Sequence, residues 1–345
     1  MTAALGAERR AALRGAKLAA LVAGRWGPAD RVSHSLGTAV ALTGPGPTAW
    51  VLADDAPERT LGPAVVWADR ERVDDLHILV DGSGDAAATV ARQSQLFAPP
   101  TPQVWIVVAG TALAPVAAAP PASQPDAPAP PELVDLLIDA GLEVVAEGGL
   151  VHGEVNGLEV ARIVHGATTA GVPIAEPQLE VGVGKADREL TAMVHGELAP
   201  VDQLARVVGI VRQHRRPGAP RHPLNQLVPE RWLRAVLCRN PGIVGLASLR
   251  PAPGVRPRTN LTERDIAMAA GAAADGAPVV AACSVGIALD LVPRASDARE
   301  AIDPSARLLL AVPARDDHPG TRRLAARLRT QAEVVPVPGD WRAAG

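Results

Sequence analysis

The chain has 345 residues, 48% of them hydrophobic, which is enough for two or three domains with buried cores and excludes an intrinsically disordered protein. A formal net charge of -3 excludes polyanion binding by the chain as a whole, so a nucleic-acid role needs a local basic patch. Arginine outnumbers lysine heavily, and with 33 prolines and no tyrosine the composition is typical of a GC-rich bacterial genome.

Cysteine usage and hydropathy point to the cytoplasm. Cys238 and Cys283 lie in unrelated contexts without metal-ligand spacing, which argues against a disulfide framework or a zinc site. The N-terminal segment AALRGAKLAALVAG is interrupted by Arg14 and Lys17, so we predict an amphipathic helix and no membrane partner. No motif indicates an organic cofactor, and we predict none.

The first region, residues 1–113, is predicted to be an α/β domain. Buried strands are expected at TAWVLAD, PAVVWAD, LHILVD and QVWIVVAG, and a helix is expected at DAAATVARQSQLF. The last two strands with the helix between them form a β-α-β pattern. Residues 114–131 form a Pro/Ala tract, which predicts an extended linker.

The second region, residues 132–216, is predicted to have an α-β-β-β-α core. PELVDLLIDAGL reads as a helix that Gly141 ends, and LARVVGIVRQHRR reads as the closing helix. Between them, apolar alternation predicts strands at 142–146, 150–155, 158–164 and 178–184.

The third region, residues 217–345, is predicted to be a further α/β region. A helix is expected around ERWLRAVL, and strands are expected at APVVAACSV, RLLLAVP and AEVVPV. The helical segment HPGTRRLAARLR lies between the last two strands, which gives a second β-α-β pattern.

The stretch GEVNGLEVAR carries the sharpest structural prediction. Asn156-Gly157 favours a two-residue hairpin turn, which would pair Val155 with Leu158 and Glu154 with Glu159. Two carboxylates opposite each other repel, so some other group must relieve the repulsion.

Three carboxylates are expected to converge on one face of this sheet. His152, Glu154 and Glu159 share a face of the hairpin, and Glu180 on the next strand stands beside Gly182 and Gly184. An oxygen-rich cluster of this kind suits Mg²⁺ or Mn²⁺. The alternative is that the glutamates are solvated, or paired with Arg162, Arg188 or a distant arginine.

Residues 132–215 resemble the core of the restriction-endonuclease-like PD-(D/E)xK nucleases, in the resolvase-like branch. The resemblance rests on GEVNGLEVAR, which is similar to the family's GEIDLVAR stretch, and on the later strand LEVGVGK. It implies that the family's metal-binding aspartate corresponds to Asn156 or Glu159, and that its second acid corresponds to Glu180.

One position departs from the family pattern. The ExK motif requires lysine two residues after the acid, but Gly182 stands there. Lys185 is an odd number of residues from Glu180, so a regular strand would point it away from the acid. A bulge at Gly182 or Gly184 would be needed to return it to the site.

A basic cluster follows the predicted core. Arg212, Arg215, Arg216 and Arg221 lie within RVVGIVRQHRRPGAPRH, where they would suit phosphate contacts with DNA. The alternative is a solvated helix end whose arginines complement the negative C-terminal dipole.

These observations lead to two functional hypotheses from different classes. In the first, the protein is nucleic-acid-associated and acts as a metal-dependent phosphodiesterase, with Glu154, Glu159 and Glu180 holding the ion and Lys185 steadying the developing charge. In the second, it is a non-catalytic scaffold or interaction protein that keeps a degenerate nuclease-like fold.

Overall fold

The computed structural model describes the backbone of all residues except 1, 29–30, 38, 122, 124, 196–198, 255–259 and 345, and the side chains of the same residues except 2–7, 191–195 and 344. The described part has a mixed α/β fold with nine α-helices and three sheets of six, four and five strands. The predicted fold class is therefore confirmed. None of the described helices combines the length and the apolar character that a membrane span requires.

The chain divides into two compact units. Unit 1 consists of residues 1–121, 287–297 and 318–333, and unit 2 consists of residues 122–286, 298–317 and 334–345. The chain first leaves unit 1 at Pro121, inside the predicted Pro/Ala linker. Residues 217–345, which we predicted as one region, contribute to both units.

Unit 1 is built on the six-stranded sheet, whose strands follow one another in chain order. Its strands are β1 (Val32–Leu36), β2 (Ala39–Thr43), β3 (Thr48–Ala53), β4 (Asp75–Val80), β5 (Gln103–Val108) and β6 (Ala112–Pro115). Its first helices are α1 (Thr2–Trp26), α2 (Pro57–Glu71) and α3 (Gly84–Ser94). Strands β3, β4 and β5 are parallel, which confirms the predicted β-α-β pattern through α3.

The segment PAVVWAD, predicted as a strand, lies inside α2, so that prediction is wrong. The adjacent valines favoured a strand, but the buried residues Leu61, Ala64, Val65 and Ala68 recur at helical spacing. Pro57 occupies the first turn, where its missing N–H costs nothing. Burial of one helical face outweighed the local preference of two valines for extended backbone.

The four-stranded sheet belongs to unit 2 and is antiparallel throughout, with the order β10-β9-β8-β7. Its strands are β7 (Glu143–Glu147), β8 (Leu150–Val155), β9 (Leu158–Val164) and β10 (Gln178–Val181). The helices before and after it are α4 (Pro131–Asp139), α5 (Gly184–His195) and α6 (Pro200–His214). Helix α4 packs on β7 and β8, and α6 packs on β8, β9 and β10.

The five-stranded sheet also belongs to unit 2, in the order β11 to β15. Its strands are β11 (Leu246–Pro251), β12 (Ala267–Ala273), β13 (Pro278–Cys283), β14 (Arg307–Pro313) and β15 (Ala332–Val337). Helix α7 (Pro229–Arg239) belongs to unit 2, α8 (Leu291–Ile302) is divided between the two units, and α9 (Pro319–Arg327) belongs to unit 1. Strands β13 and β14 are parallel on either side of α8 in the sequence.

Helix α7 makes different contacts on two of its faces. Trp232, Leu233, Val236 and Leu237 enter the hydrophobic core that β11, β12 and β13 line. Arg231 and Arg234, which lie three residues apart, turn instead to the glutamates of the four-stranded sheet. The helix therefore joins an apolar core on one side to a charged layer on the other.

Candidate functional site

The β8–β9 hairpin forms as the sequence predicts. Val155 pairs with Leu158 and Glu154 pairs with Glu159. Asn156 and Gly157 have φ values of 47° and 75°, the positive values that the favoured two-residue turn requires at both positions. A Cβ on Gly157 would lie 2.3 Å from the carbonyl carbon of Arg231, so glycine also allows the turn to approach α7 closely.

A β-bulge in β9 arranges the charged residues beyond the turn. Gly153 pairs with Ala161, but the next residue, Glu154, pairs with Glu159. Val160 is therefore an extra, unpaired residue on β9. In a regular strand Glu159 and Arg162 would face opposite sides, because they are three residues apart. The extra residue puts both on one face, and Nε of Arg162 donates to Oε1 of Glu159 at 2.6 Å.

Cross-strand pairing places seven polar side chains on one face of the sheet. Glu180 pairs with Arg162 and Arg162 with His152, while Glu143 pairs with Glu154 and Glu154 with Glu159. We call this set the polar face, and its members are Glu143, Glu147, His152, Glu154, Glu159, Arg162 and Glu180. It carries five carboxylates instead of the three that the sequence predicted.

Glu154 is the most deeply buried carboxylate of the polar face, with 1% of its surface exposed. It accepts from Nη2 of Arg234 at 2.7 Å, from Nη1 of Arg231 at 3.0 Å and from Nε2 of His152 at 3.0 Å. Burial by itself raises the pKa of Glu154, but the charge of Arg234, the His152 hydrogen bond and the charge of Arg231 hold this pKa well below its ordinary value.

Glu159 is also buried and is bound by two guanidinium groups. Arg162 donates to its Oε1, and Nη1 of Arg188 on α5 donates to the same oxygen at 3.1 Å. Burial raises the pKa of Glu159, yet the charges of His152, Arg162 and Arg188 bring this pKa below its ordinary value. The repulsion between Glu154 and Glu159 is thus relieved by arginines on both sides.

Glu180 is held mainly by the loop between β9 and β10. It accepts from the backbone N–H of Thr169 at 2.6 Å and from the Thr169 hydroxyl. Nε of Arg188 lies 3.9 Å from Oε2 of Glu180, so Arg188 stands between Glu159 and Glu180. Glu154 is bound instead by Arg231 and Arg234 on α7.

The three predicted metal ligands therefore do not offer free oxygens to one centre. Among the described residues, no three His, Cys, Asp or Glu side chains are grouped so that they could hold a metal ion. Because guanidinium groups bind Glu154 and Glu159 while Thr169 binds Glu180, the residues present do not fit Mg²⁺ or Mn²⁺ in this arrangement. The contacts correspond to the alternative in which the glutamates pair with Arg162, Arg188 and distant arginines.

Lys185 does not lie on the strand that carries Glu180. Strand β10 ends at Val181, Gly182 has a φ of 140°, and Lys185 falls in the first turn of α5. A Cβ at Gly182 would lie 2.8 Å from the backbone nitrogen of Arg188, so the close return of the chain leaves no room for a side chain there. The Lys185 side chain is 70% exposed, and its Nζ lies 3.8 Å from Glu189.

Asn156, the other position at which the resemblance predicted the metal-binding aspartate, has a structural role. Its Nδ2 donates to the carbonyl of Arg215 at 2.6 Å, and its Oδ1 accepts from Arg239 at 2.7 Å. These bonds fix the hairpin turn against the end of α6 and against α7.

The arginines of α7 neutralise much of the polar face, and the sequence did not predict that they would lie there. Arg231 also binds Glu147 at 2.5 Å, and Arg239 binds Glu143. The five carboxylates of the polar face are matched by five arginines, namely Arg162, Arg188, Arg231, Arg234 and Arg239. The spacing of three between Arg231 and Arg234 indicated a shared helix face, but nothing local indicated which strand would receive them.

The predicted nucleic-acid arginines separate into two pairs. Arg212 donates to the carbonyls of Ala140 and Gly141 at 3.0 and 2.8 Å, where it satisfies the C-terminal end of α4. Arg215 is fully buried, donates to the Asn156 carbonyl at 2.8 Å, and has its pKa lowered to about 9 by burial. Arg216 and Arg221 are exposed.

Comparison of the chain with models of protein families, with curated proteins and with solved structures gives no match in any of the three. The resemblance of residues 132–215 to PD-(D/E)xK nucleases therefore stays a prediction. It rests on the stretches GEVNGLEVAR and LEVGVGK.

Proposed function

We propose that this protein binds nucleic acid through unit 2, and that the four-stranded sheet serves there as a non-catalytic, nuclease-like scaffold. The proposal joins the DNA partner predicted from the basic cluster to the second functional hypothesis, the degenerate nuclease-like fold.

The observation that carries the proposal is a basic cavity of about 420 Å³ beside the end of α6. Arg216, Arg221 and Arg342 line it, against a single acid, Asp340. The guanidinium of Arg342 lies 5.0 Å from the ring centroid of Trp232, which also lines the cavity. Guanidinium groups gathered in one cavity suit the phosphates of a nucleic acid, and the buried ring of Trp232 supports Arg342 there.

The charge pairing on the polar face supports the non-catalytic part of the proposal. Metal-assisted hydrolysis needs carboxylate oxygens that are free to coordinate an ion. Glu154 and Glu159 instead accept charged hydrogen bonds from arginines while both are buried. Exchanging an arginine for a metal ion would leave a buried guanidinium without its partner, which costs about 3–5 kcal/mol.

The test is binding of fluorescent duplex DNA, followed by anisotropy over a series of salt concentrations. The variant Arg216→Ala/Arg221→Ala removes two exposed charges and spares the buried Arg215. Because each phosphate contact contributes about 0.9 to the slope of log K against log salt, the variant should lower that slope by roughly 2.

Arg70→Ala is the matched control, since it removes an exposed charge from α2 in unit 1. It should leave both the affinity and the slope unchanged. Absence of DNA binding at low salt, or equal slopes for the wild-type protein and the double variant, refutes the proposal.

The metal-dependent phosphodiesterase predicted from the sequence is tested separately. One observation favours it, because Glu159 and Lys185 line the same pocket, and Glu180 lies 3.9 Å from Arg188, which also lines it. Calorimetric titration with Mn²⁺ should show binding that disappears in Glu159→Ala and in Glu180→Ala if the ion is held there. From the arginine pairing we expect no binding heat.

A further inference from the structure

A second pocket in unit 2 lies at the beginning of α5 and is separate in its residues from the basic cavity. Its volume is about 620 Å³, and we call it the α5 pocket. Gly184, Lys185 and Ala186 of the first helical turn line one side, and Thr169 and Thr262 also line the pocket, with hydroxyls that donate to Glu180 and Asn260.

The described wall of the α5 pocket carries more positive than negative charge. Arg162, Lys185, Arg188 and Arg231 face two acids, Glu147 and Glu159, so the balance is four against two. Both acids already accept from arginines: Glu147 from Arg231, and Glu159 from Arg162 and Arg188. The charge of Lys185 is the least engaged of the four, because its contact with Glu189 is 3.8 Å long.

The backbone of the α5 pocket also favours an anion. The first N–H groups of a helix have no intrahelical acceptor, and the helix dipole adds partial positive charge at the same end. Helix α5 has 12 residues, and its first three, Gly184, Lys185 and Ala186, line the pocket, whereas Asp187 of the same turn does not line it and accepts from the N–H of Val183 at 2.6 Å. Phosphate groups bind at helix starts of this kind.

The side chain of Arg188 supplies an independent observation that favours an anion in the α5 pocket. Its side chain is 5% exposed and lines the α5 pocket. Nη1 donates to Glu159 and to the carbonyl of Gly182, but Nε is buried without a hydrogen bond, since Oε2 of Glu180 lies 3.9 Å from it. A buried charged donor that makes no hydrogen bond is costly, and a phosphate oxygen would satisfy it.

We propose that the α5 pocket binds a phosphate monoester, which the first turn of α5, Lys185 and Arg188 hold together. A dianionic phosphate offers several acceptor oxygens, enough for backbone N–H groups and two cationic side chains at once. The monoester can belong to a free nucleotide or to the 5′-phosphorylated end of a nucleic acid. The site uses none of the arginines of the basic cavity.

The lysine content of the chain gives a direct test. Lys17 and Lys185 are its lysines, and Lys17 lies in unit 1, paired with Asp81. Acetylation by a succinimide ester is followed at both residues by mass spectrometry, with and without adenosine 5′-monophosphate. Protection of Lys185 with an unchanged rate at Lys17 is expected, whereas equal rates at Lys185 with and without the nucleotide overturn the proposal.

Calorimetry then separates the two sources of the phosphate. Adenosine serves as the control for its 5′-monophosphate, and a 5′-hydroxyl oligonucleotide serves as the control for its 5′-phosphorylated form. Tighter binding of the phosphorylated member of either pair supports the site and identifies its source. No difference within either pair refutes it.

Variants of Lys185 avoid the risk of unfolding because the side chain is exposed. Lys185→Ala should weaken phosphate binding about tenfold, and Lys185→Arg should restore most of it. Unchanged affinity in Lys185→Ala contradicts the assignment. Arg216→Ala/Arg221→Ala should leave Lys185 protection intact, so failure of the DNA proposal and failure of this one are distinguishable.

Discussion

Replacing Glu154 by Gln removes the negative charge from the centre of the polar face while keeping its size. Arg234, whose side chain is 1% exposed, then loses its carboxylate partner, and Arg231 keeps only Glu147. Leaving a buried guanidinium uncompensated costs about 3–5 kcal/mol, which increases the local opening equilibrium roughly 150- to 5,000-fold. Native-state hydrogen exchange of peptides covering β8 and β9 measures this change directly.

Glu143→Gln is the matched control, because it changes the same residue type on the same face. Its pair with Arg239 is about one-third exposed, with side-chain exposures of 29% and 36%. A pair exposed to this extent contributes up to about 1 kcal/mol after solvent screening. If both substitutions changed exchange equally, the burial argument would be refuted.

A compensating variant isolates the charge from the packing. Arg234→Met in the Glu154→Gln background removes the unpaired guanidinium, so protection of β8 and β9 should recover much of its loss. No recovery would show that the lost charge is not what destabilises the single variant.

The same carboxylates determine the pH dependence of this layer. The folded-state pKa values of Glu154 and Glu159 lie below their ordinary values. Their contribution to stability is therefore complete above the unfolded-state pKa of about 4.3 and is lost as pH falls through the folded values. Protection of β8 and β9, corrected for intrinsic exchange, should fall on acidification, and less steeply in Glu154→Gln.

Two further predictions concern the hairpin turn and the thiols. Gly157→Ala combines a positive φ with a clash against the backbone of Arg231, so it should lower the thermal midpoint well below that of Gly166→Ala, where φ is 70° and no atom lies within 4 Å of the added Cβ. Equal midpoints, measured by circular dichroism, would contradict the close approach. Burial raises the pKa of Cys238 to about 11 and also raises the pKa of Cys283, so iodoacetamide at about pH 8 should label neither thiol until the protein is denatured. Rapid labelling of Cys238 in the native protein would show that the thiol is more accessible than this.

The sequence predicted the β8–β9 hairpin correctly, because that hairpin depends on neighbouring residues. The β8–β9 turn follows from Asn156-Gly157 and from the alternation of apolar and polar residues beside it, so the pairing could be derived residue by residue. The bulge in β9 could not, because LEVAR carries no residue that requires one. That bulge determines which side of the sheet Arg162 faces.

Long-range pairing explains what sequence reasoning did not find. Arg231 and Arg234 follow Glu154 by 77 and 80 residues, a separation at which no periodicity connects them. The metal site was predicted because these distant arginines could not be assigned to the strands from the sequence. A group of carboxylates on two strands can bind either a metal ion or arginine side chains. In the fold, α7 covers the polar face and supplies arginines to its carboxylates.

The order in which α7 and its acidic partners are synthesised has a consequence for the nascent chain. At about 5–20 residues per second, the ribosome completes β8 roughly 4–16 seconds before it adds Arg234, given the 80 residues that separate Glu154 from it. During that interval the clustered glutamates repel one another and favour hydration, so this sheet should dock late. We therefore expect truncated chains that end before Pro229 to be sensitive to proteases and to bind cations, because Glu143, Glu147 and Glu154 still lack the arginines of α7.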